Sequence, residues 1–234
     1  MLNSRFSQQH PTAYRSISAL RWSCSARGWI LAITAIVIVA LATGAAIAAT
    51  DTPLDTVKHL VTQVLAIVKD KQMAQPDKQK KLRELAAANL DFDQMSRMAM
   101  GSSWRSLSAE QQRQFVPVFS SFLEDSYINK VQNYSDQEIQ ITNSRMTEPN
   151  FAHVSGRVAQ QGAEPIQLGF ALKRESGAWK IYDIALDNVS TLHGYRVEFH
   201  RVLAQNGFDA LMKQIQQRDR ELASTLGSPT GLPF

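Results

Sequence analysis

The stretch 178–195 constrains the fold more than any other part of the chain. Both alternating sets of side chains in its first half are largely apolar, with Trp179 and Ile181 in one set and Tyr182 and Ile184 in the other. Such a pattern is typical of a β-strand that is covered on both faces, rather than one that turns a face to water.

A helix follows this strand almost immediately. Asp187-Asn188 predicts a turn, and Ser190 is a candidate N-cap for the helix. The apolar side of that helix is formed by Leu192, Tyr195, Phe199 and Leu203. A strand that leads into a helix folding back over the sheet forms the wall of a cavity, and the rest of the chain has to fill or line it.

The first fifty residues have the pattern of a secretory signal. Four arginines occur there without any acidic residue, and an apolar run follows from Trp29 to Ala42, before an Ala-x-Ala sequence that ends at Ala48. We therefore predict a signal peptide at residues 1–48 and a domain at 49–226, with a disordered tail at 227–234. An uncleaved membrane anchor is the alternative, because the apolar stretch approaches the length of a spanning helix.

Removal of this segment changes the charge and the cysteine content. The net charge of +4 comes from the four arginines, so the remaining domain is close to neutral, and no nucleic-acid partner is expected. The only cysteine, Cys24, also leaves, and the domain depends on core burial instead of disulfides. The combination predicts a bacterial periplasmic protein.

Hydrophobic periodicity divides the domain into helices, strands and helices again. The period is helical from Thr52 to about Val131, two-residue alternation follows through four strands to Leu186, and helical spacing returns with a break at Asn206-Gly207. Ser108 and Gln111 form a predicted capping box, and Gly101 a helix C-cap. The expected class is α+β, with a twisted four-stranded antiparallel sheet and helices enclosing an apolar cavity, an NTF2/cystatin-like shape.

No catalytic or metal-binding motif is present in the chain. His193 and His200 share a helical face, but a zinc site needs three or four converging ligands. Tyr182 and Asp183 would suit an NTF2-like cavity enzyme, yet strict alternation points them to opposite faces. We expect no enzyme activity, no metal and no cofactor.

Large and soft apolar side chains dominate instead, and they suit either a packed core or a pocket for a flexible guest. The predicted lining residues are Met95, Met98, Trp104, Phe115, Phe119, Phe122, Tyr127, Val154, Phe170, Trp179, Ile181, Val189, Tyr195 and Phe199.

Several segments resemble the Ttg2D/MlaC family. They are Phe92 to Trp104 with Ser108 to Phe115, then Trp179 to Ser190, Tyr195 to Phe199 and Asn206 to Leu211. The resemblance covers the whole domain in the right order, and it also extends to the hopanoid-associated branch of the family.

The resemblance implies a periplasmic lipid carrier of an ABC-type system that maintains outer-membrane lipid asymmetry and toluene tolerance. Its ligand would be a phospholipid whose acyl chains enter between sheet and helices, or alternatively a hopanoid-type lipid. The implied partners are an inner-membrane ABC transporter complex with an MCE-type subunit and an outer-membrane lipoprotein complex.

Overall fold

The structure, a computed structural model, describes residues 52–132, 138–160 and 162–226, apart from the side chains of Gln160 and Ala163. The predicted signal peptide and the predicted tail lie outside these ranges. Within them, helix α1 spans Pro53–Lys69, α2 Gln75–Asn89, α3 Phe92–Met100, α4 Ala109–Gln132 and α5 Thr191–Leu226, with a 3-10 turn at Gly101–Ser106.

The sheet lies between α4 and α5 in the chain and is entirely antiparallel. Its strands are β1 Ile139–Glu148, β2 Phe151–Gln160, β3 Ala163–Glu175, β4 Ala178–Leu186 and β5 Val189–Ser190, and their spatial order follows the chain order. The α+β class is confirmed. The prediction of four strands misses β5, because two residues are too few to produce a periodic signal.

Local signals set the ends of several elements. In the capping box before α4, the Gln111 backbone N–H donates to Ser108 Oγ at 3.1 Å, and the Ser108 N–H donates to Gln111 Oε1 at 2.9 Å. The β4–β5 turn has positive φ at Asp187 and Asn188, which matches a two-residue hairpin turn.

Gly101 lies where the end of α3 packs against the first half of α5. It ends α3 with φ of 55°, and a Cβ at this position would lie 2.9 Å from Arg196 Cδ. Arg196 passes over the glycine and donates from Nε to the Met98 carbonyl at 2.9 Å. Glycine therefore serves both the backbone conformation and the close approach of the arginine.

Helix α5 bends back on itself at Gly207, where φ is 82° and ψ is −179°. The predicted break at Asn206-Gly207 is confirmed. Glu198 in the first half of the helix accepts hydrogen bonds from Arg218 at 2.7 and 2.8 Å and from Gln214 at 2.7 Å. This paired contact joins the two halves of α5.

Register shifts interrupt three of the strand pairs, β1–β2, β2–β3 and β3–β4. Ala171 pairs with Asp183 and Leu172 with Ile181, so Tyr182 is an extra residue in β4. Strict alternation therefore does not hold at Tyr182 and Asp183, and parity alone does not assign their faces. Strand β1, at one edge of the sheet, has two further shifts against β2 and is exposed over most of its length.

One face of the sheet forms the main core with α1, α3, α4 and α5. Ala152 and Val154 from β2 and Leu172 from β3 are almost fully buried there, whereas Phe151 and His153, on the other parity of β2, are only half-buried. Strand β4 follows the same pattern, so its outer face is less covered than predicted. No helix among the described residues is both long and apolar enough to cross a membrane.

Candidate functional site

Five aromatic side chains from α4 and α5 form what we name the aromatic cluster: Phe115, Phe119, Phe122, Tyr195 and Phe199. Phe119 lies at its centre, with ring centroids 5.2 Å from Phe115, 5.3 Å from Phe199 and 5.5 Å from Tyr195. These distances and the mixture of stacked and edge-on angles are those of direct aromatic packing. Heptad-like spacing on both helices brings the rings to one face.

The sheet and α3 supply the other wall of this interior. Val154 and Ile181 are fully buried, Phe170 and Trp179 nearly so, and Met95 of α3 is fully buried against them. All of these residues belong to the same apolar cluster as the five rings. The interior between the sheet and the helices is therefore continuous and almost purely hydrocarbon and aromatic in character.

The predicted lining residues occupy this interior with one exception. Met95, Phe115, Phe119, Phe122, Val154, Phe170, Trp179, Ile181 and Phe199 are buried in the cluster, and Met98, Trp104, Tyr127 and Tyr195 are partly buried against it. Val189 is 61% exposed at the β4–β5 hairpin, so its predicted inward position is wrong. The β5 strand turns it outward.

The aromatic cluster itself is tightly packed. Phe115, Phe119 and Phe199 have at most 2% of their surfaces exposed, and the rings touch one another. Hydrocarbon chains could enter here only if rings moved apart. The sequence pattern does not distinguish a packed core from a cavity lined by apolar side chains, because the residues are buried and apolar in both.

A separate open groove of about 360 Å³ lies between α4 and the second half of α5. Val118, Phe208 and Met212 line it together with Gln114, Asp209, Lys213 and Gln216, and the three apolar residues pack on the main core from outside. Its volume is near the lower limit for small-molecule pockets, too little for both chains of a phospholipid.

Polar side chains border the aromatic cluster where β4 ends and α5 begins. We name Tyr127, Asp183, Ser190 and Thr191 the polar cluster. The hydroxyls of Tyr127 and Thr191 are 3.1 Å apart and share a hydrogen bond, and burial raises the pKa of Tyr127 far above its usual range. Tyr195 links the two clusters, since its ring belongs to one and its hydroxyl bonds Ser126 beside the other.

Asp183 is the acidic member of the polar cluster. Burial raises its pKa, and this effect outweighs the opposing influence of Ser190, the Ile184 and Leu192 backbone N–H groups, and Arg196. Ser190 was predicted to cap α5, but its side chain hydrogen-bonds the Asp183 carboxylate. The Asp183 carboxylate supplies the capping contact instead, from the neighbouring strand.

The alternatives based on catalysis or metal gain no support from this geometry. The Tyr182 ring packs edge-on against Phe151 at 6.0 Å, while the Asp183 carboxylate faces the start of α5. His200 Nδ1 lies 3.3 Å from Ser103 Oγ. Within the described ranges, no three His, Cys, Asp or Glu side chains are grouped as metal ligands would be.

Comparison with known proteins identifies the family. The model of the MlaC protein family matches residues 58–217, which run from within α1 through the sheet to the second half of α5. The chain belongs to the MlaC family.

Two relatives extend this assignment. The intermembrane phospholipid transport system binding protein MlaC of Haemophilus influenzae is 34% identical over 122 residues, and the match covers 50% of the chain and 57% of that protein. A solved structure of a phospholipid-binding protein from Ralstonia solanacearum, in complex with a phospholipid, superposes with a TM-score of 0.61 at 26% identity. That match covers 72% of the chain and 97% of the Ralstonia protein.

Proposed function

We propose that the protein is a periplasmic carrier that buries the acyl chains of a phospholipid between its sheet and its helices. The continuous apolar interior around Phe119 is the observation that carries this proposal. Membership of the MlaC family supports it, as do the phospholipid in the Ralstonia relative and the transport role in the name of the Haemophilus protein.

Elementary energetics explains why such a carrier is needed. A two-chain lipid has about 30 methylene groups, each worth about 0.8 kcal/mol when buried, so its exposure to water costs on the order of 20 kcal/mol. Unassisted passage through an aqueous compartment is therefore negligible. A protein interior that removes both chains from water offsets this cost without covalent chemistry.

Loading would proceed by displacement of side chains at the aromatic cluster. The aromatic cluster holds the empty protein together, and hydrocarbon from the lipid replaces ring–ring contacts with ring–chain contacts. The exchange conserves buried apolar surface, so its net cost is small compared with that of opening a polar core. The adaptable methionine side chains Met95 and Met98 suit a guest of variable chain length.

The cellular setting follows from the predicted signal peptide and the family. We infer that the carrier exchanges lipid with an inner-membrane ABC transporter complex carrying an MCE-type subunit and with an outer-membrane lipoprotein complex. In this role it would maintain outer-membrane lipid asymmetry and tolerance to organic solvents such as toluene.

Native mass spectrometry of protein purified from a bacterial host tests the proposal. We expect a bound mass equal to that of a two-chain phospholipid, which is released on collisional activation and identified after extraction. A polycyclic triterpenoid mass would favour the hopanoid alternative. Detection of the empty protein alone, under conditions that retain lipid on a known lipid carrier, would refute the proposal.

A further inference from the structure

The helical hairpin formed by α1 and α2 carries an unbalanced positive charge. Six of the fifteen residues from Lys69 to Arg83 are basic and only two are acidic, although the domain after the predicted signal peptide is close to neutral overall. The rest of the domain therefore has an excess of acidic residues. An uneven distribution of this kind attracts an anionic partner to one part of the surface and keeps the remainder away from it.

Four exposed lysines at the connection of the two helices form what we name the lysine patch: Lys69, Lys71, Lys80 and Lys81. Lys78 Nζ donates to the Val68 carbonyl at 2.9 Å, so the first turn of α2 lies beside the last turn of α1. Two lysines of the patch follow Val68 within three residues, and the other two follow Lys78 within one turn. The patch therefore lies at one end of the hairpin.

The lysine patch is not used within the fold. Among the described residues, no hydrogen bond or ion pair involves any of its four side chains. The one arginine of the segment, Arg83, pairs with the buried Asp125 of α4 instead and anchors α2. Asp70 accepts hydrogen bonds from backbone N–H groups of the connection, which leaves Asp77 and Glu84 as the exposed acidic side chains of α2. The patch thus keeps a net positive charge that is available to a partner.

The composition of the patch favours a lipid surface over a protein as its partner. Lysine is depleted in protein–protein interfaces, whereas arginine is enriched there because its planar guanidinium forms paired hydrogen bonds. Clusters of about four to eight basic residues on a helix are typical of binding to anionic bilayers. Within the described part of the hairpin, no large apolar side chain is exposed, so contact with a bilayer would depend on charge and would be reversible.

We propose that the lysine patch binds the anionic phospholipid surface of a membrane and positions the protein there for lipid exchange. This inference rests on the proposed function, because a carrier has to reach the membranes whose lipid it carries. The hairpin is joined to the apolar interior at its other end: Val57 of α1 is buried in the main core, and Leu90 after α2 is buried there and pairs with Ile181 of β4. Docking through the patch therefore holds the interior close to the bilayer.

Flotation with lipid vesicles measures this binding. Protein expressed as the full chain and recovered from the soluble fraction is mixed with vesicles of phosphatidylcholine alone, or of phosphatidylcholine with phosphatidylglycerol, at low and at physiological salt. We expect binding only to the vesicles that contain phosphatidylglycerol, and weaker binding as the salt concentration rises, because screening shortens the range of each charge. Each lysine near the surface is worth about a fivefold change in affinity.

Matched variants assign the binding to the patch. Replacement of all four patch lysines by glutamine should lower the affinity for phosphatidylglycerol vesicles by about 100-fold or more, and Lys81→Gln alone by about fivefold. A control variant removes the same charge outside the hairpin and should stay within about threefold of the wild type. It replaces four exposed basic residues by glutamine: Arg105, Arg145, Arg201 and Lys213. Equal melting temperatures check the fold, and Lys81→Gln serves alone if the fourfold variant is unstable.

Several results would overturn the proposal. They are equal binding to both kinds of vesicle, wild-type affinity in the fourfold variant, and an equal loss in the control variant. Absence of binding to phosphatidylglycerol vesicles even at low salt would also overturn it, and would favour an acidic protein as the partner of the patch. Native mass spectrometry of the same proteins tests the carrier function separately, because the fourfold variant should retain bound lipid, and a wild type without lipid contradicts the proposed function itself.

Discussion

Replacement of Phe119 by alanine should lower the stability of the lipid-free protein and raise its affinity for lipid. Truncation of a buried phenylalanine costs about 3–5 kcal/mol. Phe119 is fully buried and contacts four other aromatic rings, so we expect a loss near 4 kcal/mol in the delipidated state, in the upper part of that range.

In the loaded state, lipid hydrocarbon would occupy the space that the ring leaves. If this recovers half of the lost burial, the variant loses only about 2 kcal/mol when loaded, and by linkage it binds lipid about 30-fold more tightly than the wild type. Denaturant unfolding of both states, followed by the fluorescence of Trp104 and Trp179 beside the cluster, measures the two losses.

A control variant separates this effect from general destabilisation. Phe151→Ala removes a half-buried ring on the outer face of the sheet, where it contacts Tyr182. We expect an equal and smaller loss in its delipidated and loaded states. An equal loss for Phe119→Ala in both states would refute the idea that acyl chains displace the aromatic cluster, and a loss below about 1 kcal/mol would refute its role as packed core.

Three further outcomes test the local structure. Gly101→Ala should lower the free energy of unfolding by more than the roughly 1 kcal/mol typical of a strained backbone, because the new methyl also meets Arg196; denaturant titration measures it. Ser108→Ala should cost about 1 kcal/mol by breaking the capping box with Gln111, and a thermal shift within error would contradict that role. Burial raises the pKa of Asp125 above its ordinary value despite its ion pair with Arg83. The folded state therefore binds the proton more tightly than the unfolded state, and it loses stability as pH rises through that raised value. Asp125→Asn should flatten this decline in a pH series of melting temperatures.

Local chemistry in the sequence predicts much of the backbone of this fold. The capping box at Ser108, the glycine end of α3 and the bend at Gly207 each depend on residues within one turn, and the structure has all three. The hairpin turns at Ser176-Gly177 and Asp187-Asn188 follow from the same rule, because few residues adopt positive φ without cost.

Features that depend on distant partners could not be predicted in the same way. The extra residue at Tyr182 arises from the pairing of β4 with β3, and it brings Asp183 to the start of α5. In the sequence, Asp183 stands out only as a possible partner for Tyr182. The signal that could have indicated the polar cluster was an acidic residue within an otherwise apolar strand.

Sequence patterns also do not predict how tightly the interior is packed. Whether Phe119 meets another ring or an open space depends on how closely α4 and α5 approach each other, which their periodicity does not specify. The same apolar stripe can serve a packed empty protein and a loaded one.

The edge strand β1 has a consequence for a protein that spends part of its time empty. An uninterrupted exposed strand offers a regular row of backbone groups to which a second copy can add, and such additions grow into aggregates. The two register shifts of β1 against β2 interrupt this row and twist the strand locally. These irregularities at the sheet edge would help the protein to remain monomeric at high concentration. It is then free to bind a membrane complex instead of another copy of itself.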